Sequence, residues 1–257
     1  MRAHLLQMTI DWEDRHKNFA RVRHLLENTD LSGGDLIVLP ELFDSGFSLN
    51  TQSTHDDQGQ TLDFLAGLAR ETACTVQGGR TVRGDRERAH NRAPVLDPHG
   101  DLLAEYTKIH PFSFGREPEA FEGGDRLVFY TWNTLTCCPA ICYDLRFPEL
   151  FRRAALAGAE LFTIGANWPS PRTAHWRALA IARAIENQAF VLAVNRVGPD
   201  PHLEYSGNSL IVGPTGDILA EGDDRERVLS AEIDPAAVRD WRRTFPALRD
   251  IRLMKSD

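Results

Sequence analysis

Lysine is nearly missing from this 257-residue chain: three stand, at positions 17, 108 and 255, against twenty-six arginines. Basic charge is short overall. The formal net charge of −8 removes the broad basic face that nucleic acid or an anionic membrane surface would need. A few local arginines still leave room for a small anionic substrate. The four cysteines, three of them crowded between positions 137 and 142, are too few and too clustered for a secreted disulfide framework. Adjacent Cys137 and Cys138 on a strand would point to opposite faces and make poor partners for one bridge. No apolar run approaches the roughly 18 residues of a membrane span. The opening MRAHLLQMTIDW has no small-residue cleavage pattern. No linker, low-complexity tract or solenoid-length repeat interrupts the chain. The expectation is a reduced, cytoplasmic protein with one domain over residues 1–257 and no nucleic-acid or membrane partner.

What is present is an ordinary globular composition, 42% hydrophobic and 26% charged, in a chain long enough to bury a full core. Leu5 to Ile10 reads as a strand and Asp14 to Asn28 as an amphipathic helix. Leu36 to Leu39 is a continuous apolar run of the buried-strand type, stopped by Pro40-Glu41. A helix over 58–70 and a strand over 73–82 follow. This alternation predicts a layered α/β fold. Val95 to Glu105 and Ile211 to Glu221 resemble each other, each with two apolar stretches around a Pro-x-Gly-Asp turn. Both read as hairpins, and one in each half suggests two related sheets face to face, although the turn itself is common. Residues 146–158 read as a helix, and 160–167 and 190–197 as buried strands. The helix over 175–188 is apolar on nearly every side, which predicts burial on more than one face, in the core or against a second subunit.

The crowded stretch CCPAICYDLRFPE poses the chemical question. A metal site is disfavoured, because Cys137, Cys138 and Cys142 lack C-x₂-C pairs and no spaced His pair follows. Residues 134–141 read as a strand, so Cys137 and Cys138 are packing residues. Cys142 falls at a strand-to-helix turn, near N–H groups that stabilise anions, with Pro148 in the first turn of the helix. A free thiol with a pKa of about 8.5 is only a few per cent thiolate at neutral pH, so it needs a base and an electrostatic partner. His110 and His175 are possible bases. Glu41, at the carboxyl end of the strand LIVLP and within the apolar, Gly-containing PELFDSGF, is better placed. Lys108 ends the strand LLAEYTK, and its retention in a chain that otherwise uses Arg suggests a site needing a compact ammonium. Glu41, Lys108 and Cys142 would converge at strand ends. Asp144 reads as a helix cap.

These residues resemble the nitrilase superfamily of carbon–nitrogen hydrolases, on LPELFDSGF around Glu41, YTKIHPF around Lys108 and CYDLRFPEL around Cys142. The similarity runs on through ANWPSPRTAHWRALAIARAIENQAFVLAVNRVG and the hairpin SLIVGPTGDILAE. The Asn-Trp-Pro-x-Pro-Arg-x-x-His-Trp signature is most similar to the omega-amidase branch, which deaminates the side-chain amides of 2-oxo acids. The resemblance implies a four-layer α-β-β-α sandwich, association into homodimers or higher homo-oligomers, a Glu41–Lys108–Cys142 triad, no cofactor and no metal. It also implies an auxiliary glutamate, Glu117, with Glu119 as the competing assignment. On this chemistry Lys108 and the Tyr143 N–H stabilise an oxyanion. Asn167, Trp168 and Arg172 share the loop after a strand, with Arg172 either a fork for a substrate carboxylate or one more surface arginine. N-carbamoyl amine hydrolases, aliphatic amidases and nitrilases use the same triad, and a scaffold with a vestigial site is the non-enzymatic alternative.

Overall fold

Two β-sheets lie face to face, each covered on its outer side by helices, in a computed structural model that describes residues 1–84 and 87–253. Lys255 lies outside them. The first sheet runs in the order Arg227–Glu232, Arg2–Gln7, Leu36–Val38, Thr75–Gln77, Ala89–Leu96 and Arg80–Arg83, with Leu102–Thr107 also pairing Ala89–Leu96. The second runs Ile218–Glu221, Leu210–Val212, Phe190–Asn195, Leu161–Ala166, Leu135–Ile141 and Tyr130–Trp132. The two similar hairpins fall one in each sheet.

Side-chain alternation sorts the core into three seams. Between the sheets pack Leu5, Val38, Cys137, Leu161, Leu192 and Ile211. Leu6, Met8, Ile37 and Val76 face the helices Arg15–Leu26 and Gln60–Thr72, through Val22, Leu26, Leu65 and Leu68. On the far side, Cys138, Phe162, Ile164 and Val191 face the helices Pro148–Leu156 and Thr173–Asn187, through Phe151, Ala154, Trp176 and Ala180. The architecture is the α-β-β-α sandwich.

Cys137 and Cys138 therefore enter two different seams, and both are fully buried. Burial pushes the Cys138 thiol up to about 12 and the Cys137 thiol further still. Cys137→Ala and Cys138→Ala are each expected to lower thermal stability, by on the order of 1 kcal/mol for one small buried group. Thermal melts of the two variants against the wild type check this.

Two expectations need correction. The strand read over 73–82 is broken into Thr75–Gln77 and Arg80–Arg83 by Gly78-Gly79. A Cβ on Gly79 would stand 2.5 Å from Leu42 N and 3.2 Å from the carbonyl carbon of Glu41. On the other side, a Cβ on Gly165 would stand 2.9 Å from Glu41 N. The Pro40–Leu42 backbone threads between two glycines because only glycine leaves it room. The helix Thr173–Asn187 buries one face within the chain and leaves Ile185 on the other 52% exposed, so burial of its second face would need a second subunit. Asp144 does not cap the helix that starts at Pro148. Its carboxylate accepts the N–H of Ile141 at 3.0 Å, tying together the tight turn Cys142–Arg146.

Candidate active site

The parallel strands Leu36–Val38, Leu135–Ile141 and Leu161–Ala166 all end on one edge of the sandwich, where the residues that follow them meet. Glu41 follows the first, Cys142 the second and Asn167 the third. Lys108 follows Leu102–Thr107, and Glu117 opens the short helix Glu117–Ala120. All five are buried.

Lys108 Nζ donates to Glu41 Oε1 at 2.7 Å and to Glu117 Oε2 and Oε1 at 2.8 and 3.0 Å. Glu41 Oε2 accepts the backbone N–H of Asn167 at 2.9 Å, and the Asn167 side-chain amide donates to the Glu41 carbonyl at 2.6 Å. Glu117 Oε2 accepts the N–H of Phe112 at 2.5 Å. Glu119, two residues on, is in solvent and pairs with Arg116. Cys142 begins its turn at φ +45°, and Leu42, next to Glu41, has φ +44°. Such left-handed conformations cost a non-glycine residue on the order of 1–3 kcal/mol. The strain sits where the thiol and the carboxylate are aimed. Cys142 Sγ lies 3.8 Å from the Asn167 carbonyl oxygen and faces Glu41.

Charge in this pocket is settled by burial against mutual attraction. Burial pushes the Glu41 carboxyl up, but the Lys108 ammonium and the hydrogen bonds from Asn167 and Asn91 outweigh it and hold it below the usual carboxylate range. Glu117 is raised by burial and by the Glu41 charge, although Lys108 opposes both. Lys108 stays charged, because the two carboxylates more than offset its burial. The Cys142 thiol goes up, through burial first and then the charge of Glu41. The turn's N–H groups do not reverse that, so the resting sulfur is a thiol beside a carboxylate, not a preformed thiolate.

A cavity of about 690 Å³ opens onto Cys142 and Asn167. Trp12, Phe47, Phe112 and Tyr205 wall it, and Arg172 lines it. The Arg172 guanidinium lies 5.5 and 5.9 Å from the Phe112 and Phe114 ring centroids, with no carboxylate partner among the described residues. Trp168 is elsewhere. It is packed in the helix-side seam, with Arg146 4.7 Å over its ring, and its Nε1–H donates to the Arg172 carbonyl at 2.8 Å. It anchors the Arg172 loop and does not line the cavity. The Tyr143 ring packs on Phe112 and Phe147. Its backbone N–H opens the tight turn, where helical N–H groups lack partners within the turn. His110 is committed to Asp144 and stacks on Phe147, and His175 accepts from Arg146; neither lines the cavity.

One residue escaped the sequence reading. Asn91, in the strand Ala89–Leu96, donates from Nδ2 to Glu41 Oε1 at 2.8 Å and to Glu117 Oε1 at 3.1 Å. Its only signal is a polar residue at an inward strand position. The aromatic walls were not read from the sequence either, although Phe47 and Phe112 stand within six residues of Glu41 and Lys108.

A buried thiol facing a carboxylate–ammonium pair, at the shared edge of two sandwiched sheets, marks the class of thiol hydrolases built on this fold. Comparison gives the family: the carbon-nitrogen hydrolase profile matches residues 2–243. The chain belongs to the carbon-nitrogen hydrolase family. It is 34% identical over 249 residues to the 2-oxoglutaramate amidase of Bacillus subtilis (strain 168), covering 96% of each chain. With the omega-amidase YafV of Escherichia coli (strain K12) it shares 35% over 248 residues, 96% of this chain and 94% of the relative. Among solved structures, a CN-hydrolase superfamily protein from Xanthomonas campestris, with an arsenic adduct in its active site, superposes with a TM-score of 0.91 at 34% identity. That match covers 100% of this chain and 99% of the other.

Proposed function

We propose that this protein is an omega-amidase, which hydrolyses the terminal amide of short carboxylate-bearing substrates such as 2-oxoglutaramate and releases ammonia. The observation that carries the reading is a cavity that opens onto a buried thiol facing the Glu41 carboxylate and is lined by an arginine without a carboxylate partner among the described residues. The relatives named for this activity support it.

Glu41 Oε1 is filled by Lys108 and Asn91 at 2.7 and 2.8 Å, whereas Oε2 has the Asn167 N–H at 2.9 Å and the Asn167 side-chain amide only at 3.4 Å. Oε2 is the oxygen that takes the thiol proton as Cys142 Sγ attacks the amide carbon. An ammonium has three N–H donors. With one N–H given to Glu41 and one shared between the two Glu117 oxygens, the third is left for the oxyanion, which the Tyr143 N–H also stabilises. The carbon–nitrogen bond then breaks, and protonated Glu41 returns its proton to the departing nitrogen, giving ammonia and a thioester. Glu41 next takes a proton from water, whose oxygen attacks the thioester carbon. The carbon–sulfur bond breaks, the acid leaves and the sulfur regains its proton. Glu117 anchors Lys108 throughout. The residues supply every proton transfer, so this reading needs no metal or organic cofactor.

Arg172 is the fork for the substrate carboxylate. Arg172→Ala is expected to raise KM for 2-oxoglutaramate or succinamate by about 10- to 100-fold, the loss of one charged hydrogen bond. Turnover of neutral butyramide should hardly change. Equal losses on both would make Arg172 a loop-shaping residue. The aromatic walls favour, as a second reading, a neutral aliphatic amide on the same triad. Ammonia release from 2-oxoglutaramate, carbamoyl amino acids, nitriles and neutral amides decides between them.

The same reading includes a homodimer across the outer face of helix Thr173–Asn187, detectable as twice the chain mass in light scattering, and a reducing, cytoplasmic setting in keeping with four free cysteines. No helix among the described residues is long and apolar enough to cross a membrane.

A further inference from the structure

Two carboxylates and one ammonium share the base of this site, an arrangement with a built-in ambiguity. Lys108 alone does not distinguish Glu41 from Glu117, since it donates to both. A carboxylate whose oxygens are equally free can present either to the thiol. Asn91 also donates to both carboxylates, but at Glu41 it joins Lys108 on Oε1 alone, leaving Oε2 to the Asn167 N–H at 2.9 Å and side-chain amide at 3.4 Å. Asn91 is 1% exposed, and its backbone carbonyl accepts the Lys108 N–H at 2.9 Å, which sets the lysine opposite it on the neighbouring strand. Its side-chain amide donates to Oε1 of Glu41 and to Oε1 of Glu117. Asn91 thus touches three of the charged groups' anchoring points from a single strand position.

We infer that Asn91 is a positioning residue that commits Glu41 to Cys142, by occupying Glu41 Oε1 so that Oε2 is left for the thiol proton. The residue type suits the task. An amide offers two N–H donors on one nitrogen and no charge. A lysine or arginine there would hold Glu41 too strongly ionised to accept a proton, and a serine would be too short to bridge both carboxylates. The titratable groups facing Glu41 are Lys108, Glu117 and Cys142, with Asn167 supplying its backbone N–H and side-chain amide. Removing a donor to the ionised form of Glu41 raises its carboxyl pKa, because the charged state loses a hydrogen bond that the neutral state does not need.

This inference rests on Glu41 as the base, so its test is separated from substrate turnover. The rate of Cys142 carboxymethylation by iodoacetamide, followed by mass spectrometry on the full chain, is measured against pH for wild type, Asn91→Ala and Asn91→Asp. In Asn91→Ala the acid limb should move up by about one pH unit, the scale of a hydrogen bond to a charged group. In Asn91→Asp it should move further, since a third carboxylate then competes for Lys108. With an amide substrate, kcat should fall about 10- to 100-fold while KM stays within about threefold, the signature of a misaligned base. Asn91→Asp keeps the shape and carries the test where Asn91→Ala fails to fold. Folded variants with an acid limb at the wild-type pH would overturn the inference. A protein that alkylates as expected yet hydrolyses no amide would overturn the omega-amidase reading and leave Asn91 in its role.

Discussion

Cys142→Ala is expected to drop ammonia release by more than about 10⁴-fold, the scale on which an enzyme loses its covalent nucleophile. The fold should survive, since alanine tolerates the φ of +45° no worse than cysteine does and the loss is one sulfur at a cavity base. The expected result therefore combines a near-wild-type melting temperature with background hydrolysis. In the wild type, a slow substrate should leave an acyl mass on Cys142 and none on Cys137 or Cys138. Those two thiols are fully buried in the core seams, whereas Cys142 opens onto the cavity. Retained turnover in Cys142→Ala would remove the thioester route and, with it, the need for Glu41 as a proton acceptor. The pH dependence follows from the same chemistry. Glu41 is held below the ordinary carboxylate range and Lys108 is held charged, so activity should persist as pH falls past the usual carboxylate values. It should fail only when Glu41 itself takes up a proton, which a kcat/KM profile reads directly.

Strand ends were legible from the chain alone because each is marked twice, by an apolar run and by what halts it. Leu36 to Leu39 stops at Pro40-Glu41, and the strand before Cys142 stops at a helix-opening Arg-Phe-Pro. The repeated Pro-x-Gly-Asp turn signalled one hairpin in each sheet for a similar reason: turn chemistry is local. Features that depend on a distant partner were not legible. Asn91 looks like any polar strand residue until Glu41 and Glu117 arrive from 50 and 26 positions away. Gly78-Gly79 looks like a weak spot in a strand, and its reason is the Glu41 backbone packed against it. Glu117 and Glu119 are equivalent in sequence, and only the path of a four-residue helix turns one inward and leaves the other with Arg116 in solvent. Trp168 was expected at the cavity because its loop is there, but its large apolar ring gains more from the helix-side core. The edge strand Arg227–Glu232 and the helix Pro235–Thr244 carried no clear signal in a charged stretch, and pairing with Arg2–Gln7 is what orders the strand.

Lys108→Arg separates charge from shape. The substitution keeps the positive charge between Glu41 and Glu117, and arginine is otherwise the cation this chain prefers. If the site needed only a counter-ion, the variant would work. The geometry argues otherwise. Lys108 Nζ is a point donor that reaches both carboxylates within 3.0 Å from a fully enclosed position. A guanidinium is a plane with its charge spread over three nitrogens, and it pairs side-on with a single carboxylate in a fixed fork. Docked on Glu117, it has no donor at the former Nζ position for the oxyanion. Forcing the larger group into a packed site costs typically about 1–3 kcal/mol of stability as well. We expect kcat to fall by at least about 10²-fold, the typical effect of one lost oxyanion donor. Thiol alkylation should be affected far less, because alkylation forms no oxyanion and Glu41 still has a cation beside it. Lys108→Met goes further, since it leaves two buried carboxylates without their cation, a loss on the order of 3–5 kcal/mol that should show as a large drop in melting temperature. Near-normal kcat in Lys108→Arg would make Lys108 a structural counter-ion and pass the oxyanion to the Tyr143 N–H alone. A large kcat loss with the alkylation rate retained would place Lys108 at the oxyanion.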